Sequence, residues 1–151
     1  MHEDTPAFIA DHGLFQALEQ RSQSVVCKEN SVLFSEGEIA GGVYLILSGE
    51  AVLSMRSESG DTVMRLRAKA GSLLGLPGVI GNQPYSLTAM VRRGSEVSFV
   101  PRNDLEALMK AEPSLCMAVL QVLAAEVRAA RHALVEAQGV ADTRKRPKPR
   151  R

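Results

Sequence analysis

Between Ser24 and Val100, short apolar or alternating runs recur along the chain: Val25 to Cys27, Val32 to Phe34, Val43 to Leu47, Ala51 to Met55, Thr62 to Arg67, Leu87 to Val91 and Val97 to Val100. Turn-forming clusters separate them, among them Glu36-Gly37-Glu38, Gly41-Gly42, Ser48-Gly49-Glu50, Ser59-Gly60-Asp61, Gly71-Ser72 and Arg93-Gly94-Ser95. Runs this short, spaced about ten residues apart and punctuated by glycine, predict an all-β barrel or sandwich. Met55 to Thr62 reads as the tip of a hairpin between two alternating strands. No internal repeat suggests a solenoid.

Both flanks carry a helical period instead. Thr5-Pro6 opens a predicted helix with Phe8, Ile9, Phe15 and Leu18 near one face and Gly13 as a break. After Pro101, Asn103 or Asp104 is positioned to cap a short helix bearing Leu105, Leu108 and Met109. Pro113 then starts a longer helix, expected to run to about Gln138 and to stop at Gly139. Along it Cys116, Leu120, Leu123, Val127, Ala130, Leu134 and Ala137 alternate four- and three-residue steps, the spacing of a helix-to-helix seam. Leu115, Val119, Val122 and Val135 add a second apolar flank, wider than a lone surface helix needs. The expectation is a homodimer through this helix, with Ala130, Ala133 and Ala137 permitting close approach.

Charge changes the picture at one end. The 151 residues sum to +1, but residues 144–151 (RKRPKPRR) hold six cations and no anion, so the chain before them carries a net −5. An acidic body is a poor nucleic-acid binder, and weak contact with nucleic acid is expected only from the tail. No apolar run approaches the roughly 20 residues a membrane span requires. The acidic N-terminus does not read as a signal peptide, so cytoplasm is the expected location. Cys27 and Cys116 lack metal or redox spacing and are expected to be reduced thiols. No catalytic motif stands out, neither HExxH, P-loop, GxGxxG before a helix nor a spaced nucleophile pair, so the chain reads as a binder rather than an enzyme, with no metal site.

The stretch Leu33 to Glu50 (LFSEGEIAGGVYLILSGE) is the most specific segment. Phe34 with Glu36-Gly37-Glu38, followed by Val43 to Gly49, resembles the strand–turn–strand signature of cyclic-nucleotide-binding domains in the catabolite-activator and fumarate–nitrate-regulator superfamily. Gly37 and Gly49 fit turns that need positive φ. The resemblance extends over roughly residues 7–138. It implies a mainly β fold with flanking helices: a double-stranded β-helix (jelly-roll) barrel followed by a long C-terminal dimerisation helix. It also places a phosphate-binding cassette within Gly71 to Val91.

In the family, that cassette uses a Gly–Glu pair to hold the ribose, helix amides to face the phosphate, and an arginine to neutralise it. Here Gly75 matches the glycine, Leu76 stands where Glu is expected, and Pro77 removes an amide donor. Leu87-Thr88-Ala89 align with the arginine and its small neighbours, leaving only Thr88 as a phosphate hydroxyl. Losing the ribose bond costs about 1.5–3 kcal/mol. Burying the phosphate without its arginine costs roughly 2–5 kcal/mol more. Two or more decades of affinity are therefore expected to be missing. Candidate compensating cations are Arg92, Arg93 and, near the helix positions that reach the base in relatives, Arg131. Some relatives hold haem in this pocket; His12 and His132 are weak candidate ligands.

The combined expectation is a domain over residues 1–139 (N-terminal helix, barrel 24–100, helices 103–138) and a basic disordered tail over 140–151. It is expected to act as a regulatory module with a degenerate cassette and no cofactor, in signalling or transcription, through an unidentified protein partner. Only twelve residues follow Gly139, too few for the helix-turn-helix domain usual in this superfamily. The alternatives are true cyclic AMP or cyclic GMP binding through relocated arginines, and non-specific nucleic-acid association through the tail.

Overall fold

Two four-stranded antiparallel sheets enclose the core. A computed structural model of the chain describes residues 7–145, with side chains described to residue 139. The first sheet runs in the order β1 (Gln23–Val25), β8 (Glu96–Pro101), β3 (Gly42–Ser48) and β6 (Leu73–Leu74). The second runs β2 (Ser31–Phe34), β7 (Thr88–Val91), β4 (Glu50–Arg56) and β5 (Thr62–Lys69). Helices α1 (His12–Glu19), α2 (Leu76–Gly81), α3 (Arg102–Ala111) and α4 (Ser114–Lys145) complete the described chain. This is the expected jelly-roll architecture with flanking helices and a long C-terminal helix.

Side-chain alternation explains the sheets. On β5, Met64 and Ala68 are buried while Arg65, Arg67 and Lys69 face water. Across the ladder, Leu53 opposite Leu66 and Ala51 opposite Ala68 continue the same inner face. A one-residue slip would expose that whole set, so burial fixes the register. An aromatic group bridges the two sheets: Phe34 on β2 contacts Tyr44 on β3 at 5.6 Å between ring centres, and Tyr44 meets Phe99 on β8 at 4.9 Å.

Several boundaries differ from the sequence expectation for local reasons. Phe8, Ile9 and Ala10 are not helical. The Phe8 carbonyl accepts from Leu73 N, Ile9 bridges Ser72, and Ala10 N donates to the Gly71 carbonyl. The helix begins only after Asp11, whose carboxylate accepts from Leu14 N at 2.8 Å, and Gly13 lies inside it rather than breaking it. Pro101, not Asn103 or Asp104, is the cap of α3, and Asp104 sits in the first turn, where its charge suits the helix dipole. Gly139 does not end α4. Its φ is not positive, so the left-handed stop conformation is absent and the helix continues to Lys145. The expected tail therefore begins as helix over 140–145, and residues 146–151 lie outside the described residues, as do Thr5 and Pro6. Strand β6, two buried leucines with no alternation to reveal them, had no counterpart in the pattern.

The chain crosses between sheets at Gly49, which joins β3 to β4 with φ +84°. A Cβ there would overlap the Ser95 side chain, whose hydroxyl accepts from Glu50 N at 3.2 Å. Gly37 has a similar φ of +86°, but open space where its Cβ would be. Gly49→Ala is expected to cost about 2–4 kcal/mol from strain plus overlap, and Gly37→Ala about 1 kcal/mol from strain alone. Thermal unfolding of the two variants checks this: the midpoint of Gly49→Ala should fall clearly further.

Candidate functional site

The cassette is a short hinge and helix held against the barrel by one tyrosine. Gly75 turns the chain from β6 into α2 with φ +97°, and a Cβ there would sit 3.0 Å from the Tyr85 ring and 3.3 Å from the Gly42 carbonyl. Pro77 occupies the first turn of α2, and Asn82 closes the helix in a left-handed conformation. Tyr85 stacks on Phe34 with ring centres 4.1 Å apart. Its hydroxyl donates to the Gly42 carbonyl at 2.5 Å and accepts from Gly42 N at 3.3 Å. Its backbone N donates to the Glu38 carbonyl, and its carbonyl accepts from Gly37 N. Burial raises the phenol pKa above its ordinary value, so it remains a neutral donor.

Behind this anchor the cassette is filled. Leu74, Leu76, Val79 and Leu87 are buried, as is Ala89, while Ile80 is exposed. Thr88 is half-buried, and its hydroxyl already accepts from Glu36 N at 3.1 Å. A cavity of only about 10 Å³ remains, bounded by Phe34, Leu53, Pro77, Tyr85, Leu87 and Glu126, with Gly75, Gly78 and Ser86 completing it. A single water needs roughly this much room, whereas small-molecule sites run to hundreds of Å³.

Glu126 descends into this cavity from α4. The residue is 5% exposed, and its Oε2 is the one fully buried side-chain oxygen or nitrogen without a hydrogen-bond partner among the described residues. No lysine, arginine or histidine lines the cavity. Desolvation pushes the carboxyl pKa up to about 8, so near neutral pH it is mainly protonated.

The candidate compensating cations are elsewhere. Arg92 is exposed and paired with Glu50 at 2.6 Å, a carboxylate that Arg67 also contacts at 3.1 Å. Arg93 and Arg131 are exposed, and neither lines the cavity. Arg92 and Arg93 lie in the turn that follows β7 and Arg131 on an exposed face of α4, which takes all three away from the cavity. The α4 residue that lines the cavity is Glu126, more than one turn before Arg131. Val119, Val122 and Glu126 share the barrel-facing side of α4, and the acidic interruption of that flank was the available sequence signal.

The helix seam divides. Leu120 and Val127 are 53% and 63% exposed, whereas Cys116, Leu123, Ala130, Leu134 and Ala137 are half-buried. The flank residues Val119 and Val122 are buried and Leu115 is half-buried, so this flank packs on the chain's own body. The outward apolar stripe instead comprises Met117, Leu120, Val127 and Val135.

A second, open cavity of about 360 Å³ lies between β1, β2, β3 and β8, lined in part by Val25, Cys27, Leu33, Tyr44 and Phe99. Burial raises the Cys27 thiol pKa, which disfavours a reactive thiolate. His132 pairs with Glu136 at 3.0 Å. No group of three potential metal ligands occurs among the described residues, and no described helix is long and apolar enough to cross a membrane.

The fold is a jelly-roll barrel with a glycine-hinged cassette, which the long helix α4 meets at Glu126. The chain belongs to the cyclic nucleotide-binding domain family, whose model matches residues 8–112. No curated protein matches it. Among solved structures, the catabolite activator protein of Thermus thermophilus is 24% identical with a TM-score of 0.66, covering 91% of this chain and 63% of its own. The sensor domain of the transcriptional regulator DNR from Pseudomonas aeruginosa is 19% identical with a TM-score of 0.64, covering 75% of this chain and 81% of its own. The c-di-GMP-responsive regulator CLP of Xanthomonas campestris is 18% identical with a TM-score of 0.62, covering 87% of this chain and 63% of its own. The chain thus spans less than two thirds of two of these proteins, and at such identities the likeness establishes the fold.

Glu126 makes stability depend on pH. Its folded-state pKa, about 8, lies above the ordinary 4.5, so the folded chain holds a proton that the unfolded chain releases. Its stabilising contribution is fully present below about 4.5 and is lost as pH rises to about 8, at no more than about 1.4 kcal/mol per pH unit. Glu126→Leu is expected to remove this slope and to be about 1–3 kcal/mol more stable than the parent at pH 8. Denaturant unfolding of both proteins from pH 4.5 to 9 checks the difference.

Proposed function

We propose that this chain is a regulatory sensor module whose cassette does not clamp a cyclic phosphate. It acts through a protein partner, as a binder rather than an enzyme, in the cytoplasm. The observation that carries this reading is the cavity itself: about 10 Å³, no lining cation, and a carboxyl group facing inward. Leu76 and Leu87 are buried at the positions aligned with the ribose-binding and phosphate-binding residues, and the Thr88 hydroxyl is already engaged. Glu126, mainly protonated near neutral pH, supplies no positive charge to a phosphate. Binding through relocated arginines has less support, because Arg92 is paired with Glu50 and Arg93 and Arg131 lie outside the cavity. Isothermal titration with cyclic AMP and cyclic GMP is expected to show no saturable binding below about 10 μM, since the missing contacts remove at least two decades of affinity. Tight binding of either nucleotide would sink the proposal.

We also propose pairing of two copies through the outward face of α4. Met117, Leu120, Val127 and Val135 form an exposed apolar stripe on a helix whose other face is already buried. This shifts the contact from the full heptad seam to Leu120, Val127 and their exposed neighbours. The double substitution Leu120→Lys with Val127→Lys is expected to weaken dimerisation at least about a hundredfold. Analytical ultracentrifugation tests this; a parent protein that is monomeric at high concentration would refute it. The tail over 144–151 is retained as a secondary, non-specific anion contact.

A further inference from the structure

We infer that the cavity beneath α4 is a binding site for a primary ammonium group on a slender apolar stem, with the Glu126 carboxylate as its counter-ion. The inference rests on the proposed absence of a bound cyclic phosphate, because the same cavity cannot be complementary to both charges.

Three observations converge on this occupant. The first is the missing partner. Glu126 is 5% exposed with a buried, unbonded Oε2, and buried carboxylates are ordinarily paired or hydrogen-bonded. No wall residue supplies the cation, and the other titratable wall group, Tyr85, directs its hydroxyl to the Gly42 carbonyl. The helix neighbours on this face, Val122, Ala129 and Ala130, carry no charge either. The cavity wall leaves this carboxyl without a counter-charge, and a ligand that carries a cationic donor would supply one.

Size is the second. About 10 Å³ accommodates a head the size of a water molecule. An ammonium head meets that limit, whereas a guanidinium, a quaternary ammonium or a phosphate exceeds it. The third is the wall. Phe34, Tyr85, Leu53 and Leu87 make the rest of the wall apolar, which suits a charged head carried on hydrocarbon. Ser86 is an exposed lining residue and marks where the cavity reaches the surface, so a stem can leave there. A free alkylamine and a lysine side chain of a partner protein both present this chemistry.

The test follows the carboxyl carbon of Glu126 by NMR in the full chain. Titration with n-butylammonium is expected to saturate in the millimolar range and to lower the titration midpoint of Glu126 from about 8 by at least one pH unit. Tetramethylammonium, of equal charge but larger head, and butyrate, of opposite charge, should leave it in place. Glu126→Gln, nearly isosteric, should weaken butylammonium binding at least about tenfold. Nα-acetyl-lysine methylamide separates the two sources: binding as strong as butylammonium assigns a lysine side chain, and failure to bind alongside butylammonium binding assigns a free amine. A midpoint unmoved at about 50 mM butylammonium, or moved equally by tetramethylammonium, overturns the ammonium site. Cyclic AMP binding by calorimetry would instead overturn the earlier reading of the cassette, so the two failures are told apart.

Discussion

The Tyr85 hydroxyl, donating to the Gly42 carbonyl inside the barrel, is the contact on which the geometry of the site depends. It joins the end of the cassette to the start of β3, while the stacked Phe34 ring ties the same side chain to β2 in the opposite sheet. A Cβ at Gly75 would crowd the Tyr85 ring at 3.0 Å, and the turn at Gly37 and Glu38 pairs with the Tyr85 backbone. A buried hydroxyl that lost this partner would leave a carbonyl unsatisfied as well, at about 1–3 kcal/mol. The cassette is therefore fixed by contacts internal to the chain. Leu76 and Leu87 complete the same packing, and close-packed interiors tolerate little free volume.

That internal anchoring sets the terms for α4. A helix packed on β5, α1 and α3 needs an apolar face, and Ala118, Val119 and Val122 supply one. Glu126 continues the same face and works against it. Held neutral, the carboxyl is tolerated with one unsatisfied oxygen; ionised, it has no counter-charge in the cavity wall. Such groups are costly where stability alone is selected, because an apolar side chain of similar volume would pack better. Retaining a titratable group at the point where the helix meets the cassette is physically sensible if something enters to neutralise it. The same contact then reports occupancy to the helix directly, without a separate relay.

Much of the fold was legible from the chain. Turn glycines at 37 and 49 and the apolar run Val43 to Leu47 located the barrel, because alternation and positive-φ glycines are local properties. Boundaries that depend on distant partners were not. Phe8 to Ala10 looked helical by spacing but pairs with the edge at 71–73, and the two-residue β6 exists only because β3 lies beside it. Gly139 looked like a stop, yet a single glycine costs a helix only about 1 kcal/mol relative to alanine, and the helix continues through it. Around the cavity, Gly75, Pro77 and Leu87 are residues the sequence resemblance had singled out. Glu126 was not, because a lone acidic residue among alanines looks like a solvent-facing charge until the helix is placed.

The heptad seam shows why that placement matters. A helix that must cover its own barrel and also present a surface to a partner carries two apolar stripes, and a four–three spacing read from sequence can run between them. Here the seam residues Cys116, Leu123 and Ala130 are half-buried, while Leu120 and Val127 face outward and Val119 and Val122 face inward. Each stripe is narrower than the seam suggested, and the two lie on well-separated sides of one rigid element. One continuous helix holds the two stripes in fixed relation, so a rigid rotation of α4 at the barrel would be the same rotation at its outward face.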